Sequence, residues 1–544
     1  MGTSASRSRA VAPDVSPSSP ASRSRQGAQS TPERDHRRRK AFVTAITRVS
    51  RGLKRGDSEG AMILESPRLK SPANRNNWTP GSNTRYTLPN DIWDALNATH
   101  HESGEHHVRL VSMKWLLKWH NQRGKKPFEP LPRRQALDES AFISVDDLQE
   151  MYDECVDADG VLPIVAISYC WLTPSHPDPD GDQLATVATA WQHDMDKFKS
   201  FGYQDVGVFW DWMSLHQRDP KLWEDYMASK SRLHMRKVQI DKVELGKLQQ
   251  AKYEAYLDSR EPAQVDSIQW ALHNTMDLWY AHKGTSVYLL TELPERRKGH
   301  RASYDDSGWT TYERSCAELI KEYDLAYANW KLVKEIDVVT REESLKFNLN
   351  KKGGKGGRRR SSVLKGGGRR WPIGPVGFEQ LLGEKQFTNG ADKESVVALY
   401  RKLSTTVLGN ATELAYSSMP PPSVEDGKRL GRCLNMCLAL EKLDLSTVSL
   451  SGKACAAIFN ALDAGALPKL IDLNLFDNEI DDEGMSALAE AVERGALPKL
   501  REITRMQNDP NAQVGGFNAL TSGVNLSDNP GCSHVVRQAL SKEP

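Results

Sequence analysis

The sequence lacks a hydrophobic run long enough to cross a membrane. Its mean hydropathy is −0.59 over 544 residues, and no apolar stretch approaches the roughly 20 residues that a spanning helix needs. The first forty residues are dominated by Ser, Arg and Pro rather than by the apolar segment of a secretory signal. We therefore expect a cytoplasmic protein, with a peripheral membrane or nuclear location as the alternatives.

Cysteine is scarce, and the common catalytic signatures are missing. The seven cysteines form no C-x-x-C pair, which argues against a disulfide framework and against structural zinc. Histidines occur at positions 100, 101, 106 and 107, but they fall in a Glu- and Gly-containing turn that we interpret as solvated, so we expect no metal site. A Walker loop, G-x-S-x-G and H-E-x-x-H are all absent, which disfavours P-loop, serine-hydrolase and zinc-protease chemistry.

Basic residues are concentrated in two segments, although the net charge is only +2. Residues 1–90 contain 17 Lys and Arg against 6 Asp and Glu, and their low complexity predicts a disordered basic arm. Residues 336–375 include a run rich in Gly, Lys and Arg, which predicts a flexible linker. Weak binding to nucleic acid or to a membrane surface is the alternative role of these segments.

The first six residues, MGTSAS, fit the M-G-x-x-x-[ST] pattern for N-myristoylation at Gly2. One acyl chain binds membranes only marginally, so a basic second signal from the arm would be required. A chance match of a short motif is the alternative interpretation.

Residues 91–335 have the pattern of an α/β domain with a helical extension at its N-terminal side. Apolar runs at 161–171, 205–215 and 284–293 predict buried strands, and helical periodicity at 183–201, 267–282 and 307–330 separates or follows them. Strands that alternate with helices are typical of a parallel sheet flanked by helices.

Residues 376–544 contain an internal repeat of 30 residues. The segments 440–469 and 470–499 align, so that Leu443 and Leu445 match Leu473 and Leu475. The L-x-x-L-x-L pattern resembles the ribonuclease-inhibitor class of leucine-rich repeats, which implies a short α/β stack that binds protein partners. We expect helix 395–408 to cap the stack. The pattern resumes at 524–529, and residues 505–523 are either a loop insertion or an artefact of the gene model.

Three motifs occur in order in the α/β region and resemble the heterokaryon-incompatibility (HET) family. ISYCW (167–171) matches that family's S-Y-x-W-G strand, except that Leu172 replaces the glycine. FWDWMSLHQ (209–217) matches its W-I-D-x-x-C-I-x-Q strand, with Ser214 at the cysteine position. SGWTTYE (307–313) matches its R-x-W-T-x-Q-E helix, with Tyr312 in place of the glutamine. The residues identical to these patterns are Ser168, Tyr169, Trp171, Asp211, Gln217, Trp309, Thr310 and Glu313.

HET domains are similar in fold to Toll/interleukin-receptor (TIR) domains, and the resemblance therefore implies a TIR-like parallel sheet. TIR enzymes carry a W-x-x-x-E element, whose spacing Trp309 and Glu313 share. The resemblance implies that Glu313 is the catalytic carboxylate of an NAD glycohydrolase, with NAD as substrate and no bound cofactor. The substrate-binding residues implied are Ser168, Tyr169, Trp171, Asp211, Trp212 and Trp309.

Two classes of function remain open on these patterns. In the first, the α/β domain consumes NAD as a signalling, stress or cell-death effector, and the repeats bind a protein. In the second, the domain is a non-catalytic assembly module that self-associates, and the repeats are a scaffold. Under the second interpretation, Trp309 is a core residue and Glu313 caps a helix or pairs with a basic residue. An open cleft with aromatic walls around Glu313 would favour the first.

Overall fold

The computed structural model describes residues 85–122, 129–155, 160–231, 242–298, 303–323, 331–344, 364–387, 392–500, 523–531 and 533–541. The predicted basic arm up to residue 84, Gly2, the central part of the predicted linker and almost all of the segment 505–523 lie outside the described residues. Within the described ranges, no helix is both long enough and apolar enough to span a membrane.

A six-stranded sheet forms the core of the first half. Its strands are β1 (Val111–Ser112), β2 (Ile164–Tyr169), β3 (Gly207–Phe209), β4 (Ser286–Leu290), β5 (Val333–Ile336) and β6 (Leu364–Gly367). They lie in the order β1-β3-β2-β4-β5-β6. The four central strands are parallel, whereas β1 and β6 pair antiparallel at the edges. The predicted α/β class and the three neighbouring parallel strands are therefore confirmed.

The strands form where the apolar runs are continuous, because both faces of the sheet are covered. All six residues of β2 and all five of β4 are buried. Alternate side chains of β2 enter two different hydrophobic clusters, with Ala166 on one face and Val165 and Ile167 on the other. Such two-sided burial is typical of parallel sheets.

Besides the helical residues 341–344, ten helices of the described chain precede or follow these strands in the first half. They are α1 (Asn90–Asn97), α2 (Met113–Gln122), α3 (Val145–Asp153), α4 (Asp182–Ser200), α5 (Asp211–Ser214), α6 (Pro220–Lys230), α7 (Lys242–Leu257), α8 (Pro262–Asn274), α9 (Met276–Ala281) and α10 (Gly308–Ala317).

Several of the predicted boundaries were wrong. The second predicted strand ends at Phe209, because the chain turns into α5, where Ser214 Oγ accepts a hydrogen bond from the Trp210 amide at 3.1 Å. The predicted helix 267–282 is two helices, since Thr275 has non-helical backbone angles and its hydroxyl bonds the Ala271 carbonyl at 2.8 Å. The predicted helix 307–330 ends at Ala317.

The second half is built on a four-stranded parallel sheet. Two helices, α11 (Pro375–Gly383) and α12 (Asp392–Asn410), precede it. Strand–helix units follow as β7 (Glu413–Ala415), α13 (Val424–Leu434), β8 (Lys442–Asp444), α14 (Gly452–Asn460), β9 (Asp472–Asn474), α15 (Asp482–Glu493), β10 (Gly523–Asn525) and α16 (His534–Ser541). The strand order is β10-β9-β8-β7, with every neighbouring pair parallel.

The 30-residue repeat is visible in the register of this sheet. Leu443 pairs with Leu473, and Leu473 pairs with Val524, which places the resumed pattern in the neighbouring strand. Leu443, Leu445, Leu473 and Leu475 are all at most 1% exposed, as predicted. The unit formed by β7 and α13 was missed, because Tyr416 stands where the later units have Leu445 and Leu475. The predicted capping helix 395–408 is the longer α12.

The two halves are packed against each other, contrary to the prediction of a flexible linker through residue 375. Residues 364–367 form strand β6 on β5. Arg369 is 3% exposed and donates to the carbonyls of Glu318 at 3.3 Å and Ala415 at 3.1 Å. An arginine is favourable at a helix C-terminus, where carbonyl groups lack partners, and the carbonyl of Glu318 directly follows α10. Residues 364–369, whose Gly- and Arg-rich composition predicted a spacer, therefore belong to the interface between the two halves.

Candidate functional site

The three motifs meet at the carboxyl ends of the parallel strands. Ser168 and Tyr169 end β2, Asp211 follows β3, and Glu313 lies on α10. Because β3 and β4 lie on opposite sides of β2, the chain direction across the sheet reverses at β2. Open α/β sheets bind ligands in the crevice that such a reversal leaves at the carboxyl edge.

Glu313 is the central carboxyl of this edge. Its side chain accepts a hydrogen bond from Ser168 Oγ at 2.7 Å, and Ser168 Oγ lies 2.6 Å from the Tyr304 hydroxyl. Burial raises the pKa of the Glu313 carboxyl well above its ordinary value, the nearby Asp211 raises it further, and the Ser168 hydrogen bond opposes both. Burial therefore favours the neutral form of Glu313.

Glu313 makes no ion pair with any described residue, which bears on its role. The adjacent Arg314 is taken up elsewhere: its Nε donates to Glu318 at 2.8 Å, and its guanidinium also contacts Glu335 and the Gly368 carbonyl. The interpretation of Glu313 as one half of a structural ion pair is therefore not supported within the described chain.

Asp211 organises the neighbouring aromatic residues. Its carboxylate accepts hydrogen bonds from the Tyr169 hydroxyl, from Trp171 Nε1 at 3.3 Å and from the Trp212 amide at 2.7 Å. Burial raises the pKa of Asp211, and these three hydrogen bonds oppose that rise. Gln217 stabilises the turn at Asp211, since its side-chain amide donates to the Asp211 carbonyl at 2.9 Å. Asp211 thus holds the side chains of Tyr169 and Trp171 each in a defined orientation.

A cavity of about 610 Å³ opens between these groups, and we call it the central cavity. Its size lies in the range of small-molecule sites. Of the residues predicted to form the site, six line it: Tyr169, Trp171, Asp211, Trp212, Trp309 and Glu313. Ser168 is fully buried and is not among the lining residues, so its place is beside Glu313 and not against a ligand.

The aromatic residues differ in how they face the cavity. Trp212 is only 2% exposed and donates from Nε1 to the Leu131 carbonyl at 2.9 Å, so it is mainly a core residue. It supports Trp171, whose ring lies edge-on to it with centroids 5.4 Å apart. Trp171 and Trp309 are half-buried, which leaves ring surface available to a ligand. Trp309 is therefore not simply a core residue.

The C-terminal half contributes to the same cavity. Gln386 and Asp392 line it, and Asp392 accepts a hydrogen bond from Trp309 Nε1 at 3.1 Å. The Gly308 amide donates to the Gln386 carbonyl at 2.9 Å. A Cβ at position 308 would lie 2.0 Å from the Phe387 ring, so only glycine allows this close approach. Sequence analysis did not assign a site role to Gln386 or Asp392, because they are distant in the chain from the motifs.

Two arginines that sequence analysis also missed, Arg218 and Arg260, line the cavity together with Tyr256. The Nε atom of each arginine is buried without a hydrogen-bond partner. Arg218 directly follows the second motif, which was the one available signal. Arg260 follows a highly charged helical segment, whose charges are normally solvated.

The prediction that the histidines are solvated is wrong for His100 and His107. His100 and His107 are 4% and 5% exposed, and His107 Nδ1 lies 3.0 Å from Ser267 Oγ while its ring stacks on Trp270. Burial lowers the pKa of His107 to about 4, which keeps the ring neutral. No group of three or more His, Cys, Asp or Glu in the described chain is arranged to hold a metal ion.

No model of a known protein family matches this sequence, and no curated protein matches it significantly. Function is therefore inferred from the residues of the central cavity and from the motifs that they belong to.

Proposed function

We propose that the central cavity binds NAD and hydrolyses its nicotinamide–ribose bond. The observation that carries the proposal is Glu313, a carboxyl without a cationic partner in the described chain, at the wall of a cavity that also contains aromatic rings. The order and positions of the three motifs, which resemble HET and TIR domains, support the same reaction.

The reaction converts NAD and water into nicotinamide, ADP-ribose and one proton. The bond between C1′ of the ribose and the ring nitrogen breaks, and its electron pair neutralises the nicotinamide ring. Water then adds to C1′ and loses a proton. The transition state has oxocarbenium character, so a nearby carboxylate stabilises the charge that develops on the ribose.

The raised pKa of Glu313 fits this chemistry if substrate binding ionises the carboxyl. The nicotinamide ring of NAD is cationic, and a positive charge within about 4–6 Å favours the ionised form of a carboxyl. The Ser168 hydroxyl donates to the same carboxyl and also favours ionisation. Glu313 then faces the ribose as a carboxylate, where its charge acts mainly on the transition state.

The aromatic residues supply the binding surface in this proposal. Trp171 and Trp309 would stack on the nicotinamide or adenine ring; both line the cavity and are half-buried, which supports this role. Tyr169 and Trp171 are held by Asp211, so Asp211 acts as a positioning residue for substrate binding.

The test is to incubate the purified full-length protein with NAD and to quantify free nicotinamide. We expect release by the wild type and none by Glu313→Gln, which keeps the size of the side chain but not its charge. Glu384→Gln is the matched control, because Glu384 is exposed and does not line the cavity. Equal release by Glu313→Gln and wild type would refute the proposal.

For the C-terminal half, we propose protein binding through leucine-rich-type repeats. The positions that flank the buried leucines of β7, β8 and β9 are at least partly exposed and include the acidic Glu413, Asp444 and Asp472 and the basic Lys442. This surface suits a polar protein partner. If no nicotinamide is released, a non-catalytic assembly role remains, and light scattering of the purified chain tests self-association.

A further inference from the structure

We propose that Arg218 and Arg260 form a phosphate-binding subsite of the central cavity, which receives the diphosphate of a dinucleotide. This inference rests on the proposed function for the identity of the ligand, but the subsite itself can be tested by binding alone.

Arg218 and Arg260 are cations that lack a charged partner within the described chain. Both side chains are half-buried and line the cavity, and the Nε of each is buried without a hydrogen bond. Neither arginine forms an ion pair within the described ranges. Removing a charged group from water is unfavourable unless a counter-charge or hydrogen bonds replace the water. An anion in the cavity would supply both.

The positive charges of Arg218 and Arg260 repel each other. Burial, followed by the charge of Arg218, lowers the pKa of Arg260 to about 10. Folding has thus placed two like charges close together, which is a cost that a shared anionic ligand removes. Groups whose pKa is shifted by burial and by a neighbouring charge cluster at functional sites.

The nearby acidic residue does not fill this role. Asp219 follows Arg218 directly in the chain, but its carboxylate pairs with Arg133 at 3.1 Å and accepts a hydrogen bond from the Lys221 amide at 2.9 Å, where it caps α6. Arg218 is instead placed over the Tyr256 ring, with its guanidinium carbon 5.4 Å from the centroid. The ring orients this guanidinium without neutralising it.

The lining of the central cavity as a whole is complementary to the groups of a dinucleotide. A guanidinium offers a planar fork of N–H donors that matches the oxygens of a phosphate. The cavity wall therefore combines a carboxyl at Glu313 for a cationic ring, aromatic surfaces for bases, and two arginines for a diphosphate. NAD carries all three kinds of group, whereas nicotinamide riboside lacks the diphosphate.

The binding experiment uses the full chain and ADP-ribose, measured by calorimetry. Because each variant loses hydrogen bonds between a charged donor and a charged acceptor, we expect Arg218→Gln and Arg260→Gln each to weaken binding by about 10-fold or more. Adenosine has no phosphate, so its binding should be the same in all variants. Arg401→Gln is the matched control, because Arg401 is exposed, pairs with Glu379 and does not line the cavity.

The kinetic experiment compares NAD with nicotinamide riboside. We expect Arg260→Gln to raise KM for NAD with little change in kcat, and to leave the cleavage of nicotinamide riboside unchanged. If a glutamine variant fails to fold, judged by its circular dichroism, the corresponding lysine variant replaces it. Lysine keeps the charge but loses the fork, so it should bind ADP-ribose with intermediate affinity.

The outcomes separate the two proposals. ADP-ribose binding that is equally tight in wild type and in folded Arg218 and Arg260 variants would overturn the subsite, as would no binding at all. Binding that depends on the arginines, without any nicotinamide release from NAD, would support the subsite and overturn the proposed hydrolysis.

Discussion

Replacing Glu313 by glutamine should stabilise the protein at neutral and alkaline pH, even though the same change should abolish NAD cleavage. The gain in stability is expected because ionising the buried Glu313 carboxyl destabilises the folded wild type, whereas glutamine does not ionise. Burial raises the pKa of Glu313 above its ordinary value of 4.5, so the folded protein holds this proton more tightly than the unfolded chain. The stabilisation from the neutral carboxyl is therefore complete below about pH 4.5 and is lost as pH rises toward the folded-state pKa.

The magnitude follows from proton linkage. One proton that is bound in the folded state and released in the unfolded state changes the free energy of unfolding by at most about 1.4 kcal/mol per pH unit. Glutamine does not titrate, and its side-chain oxygen can still accept the hydrogen bond from Ser168. The stability difference between the variant and wild type should thus be smallest near pH 4.5. It should grow with pH and level off above the folded-state pKa.

The assay is denaturant unfolding of wild type and Glu313→Gln at several pH values between 5 and 9. Asp211 also has a raised pKa, but it is present in both proteins, so its contribution largely cancels in the difference. Glu384→Gln, at an exposed position, is the matched control. A Glu313→Gln variant that is no more stable than wild type at pH 8 would contradict the assignment of Glu313 as a desolvated carboxyl.

Three further substitutions test other parts of the structure. Leu473→Asp should destabilise the C-terminal half by about 4 kcal/mol or more, because it places an unpaired charge in a dry core; a melting curve like that of wild type would contradict the repeat packing. Gly308→Ala should cost about 1–3 kcal/mol in unfolding experiments, since the added Cβ meets a ring. Gly383→Ala is its control, because the space around Gly383 is open. Ser168→Ala should shift the pH profile of NAD cleavage to higher pH, since it removes a hydrogen bond that lowers the pKa of Glu313; an unchanged profile would contradict this effect of Ser168 on Glu313.

The sequence by itself determined the features that depend on local pattern. Continuous apolar runs predicted β2, β3 and β4, because a strand that is buried on both faces needs apolar residues at every position. The 30-residue period predicted that Leu443 and Leu473 lie side by side. The meeting of Ser168, Tyr169 and Asp211 at one edge also followed, since the carboxyl ends of adjacent parallel strands lie together.

Only the tertiary structure decided the features that depend on partners distant in the chain. Arg369 is buried because carbonyl groups of residues 318 and 415 surround its guanidinium, and nothing in a Gly- and Arg-rich segment indicates those partners. The break at Thr275 depends on the side-chain hydroxyl bonding the Ala271 carbonyl in a buried setting, which periodicity does not report.

The character of the candidate site was decided in the same way. The spacing of Trp309 and Glu313 predicted that both lie on one helix face. Whether Glu313 is solvated, ion-paired or buried against a hydroxyl depends on residues more than a hundred positions away, such as Ser168. Arg218 and Arg260 could not be predicted as site residues either. Their charge is evident from the sequence, but whether a counter-charge lies beside them depends on the fold.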